Sequence, residues 1–306
     1  MKISIVGAGT VGVTLAYTLL PKSGVREVLL VGRNRGKAEA EAADLMHAQT
    51  FLEAPVVVRS GVLADVADSG IVVVCASAPH PKPFKDRRLL AISNAELMKS
   101  LLPEIARVAP DAKLIMVSNP VDSLTWLALQ LTGFPPQRVI GTGTLVDSFR
   151  YRDLLSRDIG IHPGDLRVYI LGEHGDSQFP AMSIAVAGAE RIEDNEERRV
   201  LAERAKRSGM EVFEGKGNTC YAIAQATALI IRAILLDERA TIPVTVRVDD
   251  YLGVRGLCLS LPAVIGSAGI VRVLHPDLSP EEQLAFRSCA KSVGETNDVI
   301  REGIGL

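Results

Sequence analysis

Three short segments hold residue types and spacings suited to proton and anion chemistry. His174 lies in Leu171-Gly172-Glu173-His174-Gly175-Asp176-Ser177, where nearby glycines leave an imidazole accessible. Histidine exchanges a proton near neutral pH, and an adjacent carboxylate fixes its tautomer and raises its proton affinity. Asp147 is the candidate for that carboxylate. It belongs to Gly141-Thr142-Gly143-Thr144-Leu145-Val146-Asp147-Ser148-Phe149-Arg150-Tyr151-Arg152, a run that opens a helix. Asp147 and Arg150 are three apart, so on a helix they project from one face. A guanidinium offers a planar fork that holds a carboxylate in one pose. The third segment, Ser118-Asn119-Pro120-Val121-Asp122, follows an expected sheet strand. His47, His80, His162 and His275 have no comparable setting.

A fourth segment, Gly7-Ala8-Gly9-Thr10-Val11-Gly12, stands between a strand-like run and a helix. That is the context a dinucleotide-binding glycine motif requires. Gly7 makes the tight turn. Gly9 lets a pyrophosphate reach the backbone at a helix N-terminus opening with Thr10 and Val11, and Gly12 permits close helix–strand packing. The second strand of such a unit ends in an acid that holds the ribose hydroxyls. Here Glu27-Val28-Leu29-Leu30-Val31 runs into Gly32-Arg33-Asn34-Arg35, and the acid is absent. A carboxylate would repel a 2′-phosphate. Gly32 makes room for one, and Arg33 and Arg35 can pair with it, so NADP is favoured over NAD.

The elements that must position these residues alternate. Ile3–Val6, Glu27–Val31, Val56–Arg59, Ile71–Ala76, Leu114–Val117 and Arg138–Ile140 read as strands. Val11–Leu20, Arg35–Thr50 and Leu89–Val108 read as helices between them. This is a doubly wound, mostly parallel α/β sheet of Rossmann type, with helices on both faces. After about residue 142 the pattern changes. Helices are expected at Leu145–Asp158, Glu193–Glu214, Ala222–Leu236 and from Ser279, with strands at Leu166–Leu171, Thr241–Val248 and Gly256–Leu261. The division expected is a dinucleotide-binding domain over residues 1–142 and an α+β catalytic domain over 143–306.

Composition narrows the function. The 34 Lys and Arg against 36 Asp and Glu leave a formal charge of −2, which argues against a general polyanion binder. Seven Phe, five Tyr and one Trp offer little base stacking, so no nucleic-acid partner is expected. Apolar runs are too short to cross a bilayer, and no signal peptide is apparent, so the expectation is a cytoplasmic protein with no membrane partner. Cys75, Cys220, Cys258 and Cys289 form no C-x-x-C pair. They read as buried thiols, with no metal site.

The G-T-x-x-D-S-x-R and G-E-H-G-D-S elements, in this order behind the glycine motif, resemble those of the lactate/malate dehydrogenase family. The match runs from Gly7 to Ser260-Leu261-Pro262-Ala263-Val264-Ile265-Gly266. The resemblance implies hydride transfer between a nicotinamide and a small 2-oxo or 2-hydroxy acid. It implies that His174 exchanges the proton, Asp147 orients His174, and Arg150 holds the substrate carboxylate. Asn119 would contact the nicotinamide side and the reacting oxygen. Thr219, in Lys216-Gly217-Asn218-Thr219, would stand beside the substrate. Glu173 and Asp176 would shape the loop, and Arg152 would be structural. A homodimer or homotetramer is implied.

Family members also close a loop over the substrate. Lys82-Pro83 and Asn94 align it here and put Arg87 on the carbonyl-polarising arginine. Pro81 stands where a Gln or Arg helps choose the substrate, Phe84 replaces a glycine, and Ser77 replaces another. Lys82, Lys85, Arg87 and Arg88 against Asp86 leave a local +3. Two readings stay open: a dicarboxylate held by Arg88 or His80, and a solvated loop. Two other functions compete with the dehydrogenase. One is a catalytically weak nucleotide-binding relative acting as a sensor. The other is a nucleotide-dependent glycosidase, whose Cys/His metal pair is not found.

Overall fold

The short β-branched runs of the first half form six parallel strands: β1 (Lys2–Val6), β2 (Glu27–Val31), β3 (Val57–Gly61), β4 (Ile71–Val74), β5 (Lys113–Met116) and β6 (Val139–Gly141). Alternate residues serve opposite faces. Val73 and Ile115 belong to one core cluster, and Val72, Val74, Leu114 and Met116 to another. The computed structural model describes residues 1–79 and 87–306, Arg87 by its backbone alone. Expectations for His80, Pro81, Lys82, Phe84, Lys85, Asp86 and the Arg87 side chain lie outside them.

Five connecting helices are α1 (Thr10–Leu19), α2 (Arg35–Gln49), α3 (Arg87–Val108), α4 (Val121–Thr132) and α5 (Leu145–Ile159). Beyond them come β7 (Leu166–Arg167), β8 (Ile170–Leu171), β9 (Phe179–Pro180), β10 (Val186–Ala187), β11 (Glu190–Arg191), α6 (Glu196–Lys216) and α7 (Tyr221–Leu235). The chain finishes with β12 (Ala240–Tyr251), β13 (Val254–Gly266), β14 (Gly269–Val273) and α8 (Pro280–Ile304).

The large sheet runs β14-β13-β12-β6-β5-β4-β1-β2-β3. Val6 lies opposite Val31 of β2 and Val74 of β4. The glycine turn, the end of the second strand and the exit of β4 therefore share one sheet edge. The chain reverses direction across the sheet at β1, and ligands bind beyond the carboxyl ends of strands at such a point.

Several elements depart from the sequence reading. The sheet continues through the antiparallel β12, β13 and β14, joined to β6 at Thr245–Gly141. Helix α4 was not expected; eight of its twelve residues, Val121 through Ala128, are buried, Asp122, Ser123 and Thr125 among them, and a helix buried nearly all round with polar residues on its covered face shows no clear amphipathic period. Leu166–Leu171 is two strands, because β7 pairs with β10 and β8 with β9. The β12–β13 hairpin extends past its apolar centre through polar residues paired cross-strand, such as Asp249 with Arg255. Helix α8 starts as expected: Ser279 Oγ accepts from Glu282 N (3.3 Å), and Glu282 Oε2 accepts from Ser279 N (2.9 Å). Cys220, Cys258 and Cys289 are buried, whereas Cys75 is half-buried. Among the described residues, no helix is long and apolar enough to cross a membrane.

Candidate active site

At the sheet edge, Gly7 adopts φ 119°, a conformation that favours glycine, and its N–H donates to Val31 O at 2.8 Å. A Cβ at Gly7 would stand 2.5 Å from Ala76 N. One at Gly12 would collide with Gly7 O, whereas one at Gly9 would meet nothing within 4 Å. Gly7 and Gly12 are thus filled by protein, and Gly9 faces open space at the start of α1. Backbone N–H groups of Thr10, Val11 and Gly12 begin that helix and lack intrahelical acceptors. This cradle fits a dinucleotide pyrophosphate.

At the end of β2 the structure qualifies one expectation. A Cβ at Gly32 would lie 3.0 Å from Ala8 Cβ and 3.1 Å from Ala38 Cβ. A side chain there would have to push these methyls back by a few tenths of an ångström, so packing favours glycine independently of the cofactor. Asn34 caps α2 by accepting from Lys37 N at 3.0 Å. Arg33 is exposed. Arg35 is exposed too, and its Nε pairs with Glu39 Oε1 at 3.0 Å. Such an i,i+4 surface pair is weak enough to be exchanged for a phosphate.

The catalytic candidates converge through α5. Thr144 Oγ1 donates to Ile170 O at 2.6 Å, and Ile170 N donates to Ser148 Oγ at 2.9 Å. These bonds fasten the first turn of α5 to the strand leading to His174. Asp147 Oδ2 lies 2.7 Å from His174 Nδ1, and Arg150 Nη1 lies 3.4 Å from Asp147 Oδ1. The Asp147 side chain is 4% exposed and that of His174 is 30% exposed. The carboxylate only accepts, so Nδ1 carries the hydrogen and Nε2 is left to face a substrate. Burial disfavours charge on the ring. The charge and hydrogen bond of Asp147 outweigh it, and Asp122 adds to them, so His174 is pushed up to about 9. Burial also opposes ionisation of Asp147, yet His174 and Arg150 bring its carboxyl below the ordinary value.

Main-chain anchors hold the His174 loop. Gly172 (φ 89°) exchanges backbone bonds with Ser260, and a Cβ there would collide with Cys289 Sγ. Glu173 accepts from Ser177 Oγ and, at 3.1 Å, from Ser292 Oγ of α8. Arg152 is buried; its Nε donates to Val168 O at 2.8 Å, a structural role as expected.

The other expected residues come from three further segments. Asn119 is exposed on the turn before α4. Thr219 is half-buried in the connection between α6 and α7. Arg88 is exposed in the first turn of α3. Two contributors were missed. Asn94 Oδ1 accepts from Ala78 N at 2.7 Å while its Nδ2 donates to Asn119 O at 2.6 Å. Asp122 accepts from His174 N at 2.7 Å. The sequence offered Asn94 only as an alignment anchor and Asp122 only as the end of the Ser118–Asp122 segment, with no partner for either.

An anion cradle at a parallel-sheet edge, followed by a His–Asp pair beside an arginine, suits a nicotinamide-dependent oxidoreductase acting on small 2-oxo or 2-hydroxy acids. Comparison agrees. Residues 1–141 match the lactate/malate dehydrogenase NAD binding domain, and residues 144–301 match the lactate/malate dehydrogenase alpha/beta C-terminal domain. The chain therefore belongs to the lactate/malate dehydrogenase family. It is 38% identical over 305 residues to an L-lactate dehydrogenase of Clostridium botulinum, covering 96% of this chain and 95% of that one. It is 40% identical over 311 residues to one of Gloeobacter violaceus, covering 98% and 94%. Among solved structures, a minor L-lactate dehydrogenase from Enterococcus mundtii superposes with TM-score 0.93 at 31% identity, covering 98% of both chains. MGS-M5, a lactate dehydrogenase from a deep-sea metagenome library, gives 0.94 at 30%, again covering 98% of both.

Proposed function

We propose that this chain reduces pyruvate to lactate reversibly and prefers NADPH to NADH. The observation that carries the reading is the contact of His174, Asp147 and Arg150. The L-lactate dehydrogenases similar to it over nearly their full length support the monocarboxylate substrate. In this reading residues 1–142 hold the cofactor: the Gly7–Gly12 turn takes its pyrophosphate, and Arg33 and Arg35 take a 2′-phosphate. Residues 143–306 supply the acid–base and carboxylate groups. When bound, the reduced nicotinamide supplies a hydride for the ketone carbon.

The remaining steps fall to the chain's own side chains. Arg150 holds the substrate carboxylate through its fork. Protonated His174 gives the Nε2 proton to the carbonyl oxygen, and Asp147 keeps the ring oriented and charged. In the reverse direction neutral His174 is the base. Asn119 contacts the reacting oxygen and Thr219 borders the substrate. Arg87 is assigned to polarising the carbonyl on sequence alone. Self-association into a dimer or tetramer is supported by exposed Tyr17, Phe51 and Tyr221, of which Tyr17 and Tyr221 lie on the packed helices α1 and α7. Four free thiols fit a cytoplasmic setting.

Initial rates with pyruvate, oxaloacetate and longer 2-oxo acids, each with NADH and NADPH, test the reading. We expect the highest kcat/KM for pyruvate with NADPH. A preference for oxaloacetate would transfer the assignment to malate, and the sensor alternative stands if no 2-oxo acid turns over. The Arg33→Ala/Arg35→Ala double variant is expected to lose roughly tenfold or more in NADPH affinity, the worth of one charge-assisted contact, with NADH affinity unchanged. It is a cleaner probe than Gly32→Asp, whose side chain would meet Ala8 and Ala38.

A second prediction concerns Gly209, inside α6. A Cβ there would stand 2.9 Å from Arg150 Nη1, so the guanidinium lies in space this glycine leaves free. Glycine costs a helix interior about 1 kcal/mol against alanine. Gly209→Ala is therefore expected to raise Tm by about 2 °C while raising the pyruvate KM severalfold. Stabilisation with an unchanged KM would mean Arg150 does not depend on that space.

A further inference from the structure

The strongest unused feature is the Asp122 carboxylate. It is 3% exposed in the first turn of α4 and is the only charged side chain on that helix. Oδ2 accepts the main-chain N–H of His174 at 2.7 Å, and Oδ1 accepts the Thr245 hydroxyl at 2.5 Å. A buried charge is expensive, and neither bond requires one. A neutral acceptor would serve a main-chain N–H, and Thr245 has the Ser260 hydroxyl 3.5 Å away as a second partner. Hydrogen bonding alone does not account for a carboxylate here. Its charge has a nearby beneficiary, the His174 ring, whose proton affinity it raises together with Asp147.

The surrounding titratable and charged groups leave that effect intact. Glu173 adds negative charge from the loop, Asp147 and Arg150 flank His174 from α5, β13 and α8 contribute the thiols of Cys258 and Cys289, and Arg247 and Asp249 of β12, of opposite sign, act on Cys258. Burial pushes Asp122 up to about 6, while its bonds from Thr245 and His174 N restrain it. It is therefore anionic at neutral pH.

We propose that Asp122 is a positioning residue for the proton exchange, holding the His174 main chain and supplying a second negative charge that keeps the imidazole protonated. The proposal rests on the reading of His174 as the proton-exchanging group. It also joins the Asn119 turn, three residues before Asp122, to the His174 loop through one side chain.

The test is the titration of the His174 ring, followed by NMR on the full chain with ring-labelled histidine, the signal being assigned by its absence in His174→Asn. Asp122→Asn keeps the shape: its amide oxygen can accept from His174 N while its amide nitrogen donates to Thr245 Oγ1. It is expected to lower the His174 midpoint by about one pH unit. The pH above which pyruvate reduction falls is expected to move down equally. An unmoved midpoint in the folded variant overturns the proposal. Should Asp122→Asn not fold, Thr245→Val removes a donor that holds Asp122 ionised. It is then expected to lower the His174 midpoint in the same direction, and an unmoved midpoint again overturns the proposal. The titration needs no turnover. A chain showing the shift but inert toward every 2-oxo acid would support the coupling and defeat the catalytic reading instead.

Discussion

A His174→Asn variant is expected to reduce pyruvate roughly 10³-fold more slowly than the parent, the usual worth of a positioned general acid, while binding NADPH unchanged. The asparagine amide can still bond to Asp147 but has no proton to give. The same argument sets the pH dependence of the parent. Reduction needs the protonated ring, and His174 sits at about 9. Thus kcat/KM for pyruvate should be level below that pH and fall tenfold per unit above it. Lactate oxidation needs the neutral ring, so its kcat/KM should rise with pH toward the same value. Removing the Asp147 charge takes away the main influence opposing burial of the ring. Asp147→Asn should therefore move both limbs down by about two units, and pyruvate reduction at pH 8 should suffer far more than at pH 6. Steady-state rates between pH 5.5 and 10 measure this, with NADPH fluorescence titration as the binding control. Full activity in His174→Asn would remove histidine from the proton path.

What the sequence disclosed follows from the range of each interaction. The glycine turn is local: six consecutive residues between a strand and a helix carry its geometry, and Gly7, Gly9 and Gly12 each occupy the space their type implies. Asp147 and Arg150 lie on one turn of α5, so three-residue spacing sufficed to pair them. Asp122 was not legible as a partner of His174 because 52 residues separate them, and its second partner, Thr245, lies 123 residues away. No spacing rule connects such positions; only the docking of the β12–β13 hairpin beside β6 does. Gly32 is open to two explanations. Its absent side chain suggested room for a phosphate, and its closeness to Ala8 and Ala38 favours a glycine on packing grounds as well, so the cofactor argument leans more on Arg33 and Arg35. Gly209 was silent because a mid-helix glycine acquires meaning only when the group lying against it is known.

The second large effect is expected at Arg150. Its side chain is 22% exposed, close to the Asp147 carboxylate and against the backbone of α6 at Gly209. A substrate carboxylate bound there meets a fork that can donate two parallel hydrogen bonds, in surroundings where water screens little. Lysine keeps the charge but offers a compact ammonium on a shorter reach, and it cannot reproduce the two-point grip. Arg150→Lys should therefore cost about 3 kcal/mol, roughly 10²-fold in kcat/KM, expressed chiefly as a raised pyruvate KM. The pH limb near 9 should stay in place, because the cation beside His174 is retained. Arg150→Ala should lose more activity and also move the limb upward, since Arg150 lowers the proton affinity of His174. This pair of variants separates grip from charge: KM responds to both substitutions, the pH limb only to alanine. A parental KM in Arg150→Lys would mean that the carboxylate is held elsewhere, and the cations Lys82, Lys85, Arg87 and Arg88 would be the groups to replace next.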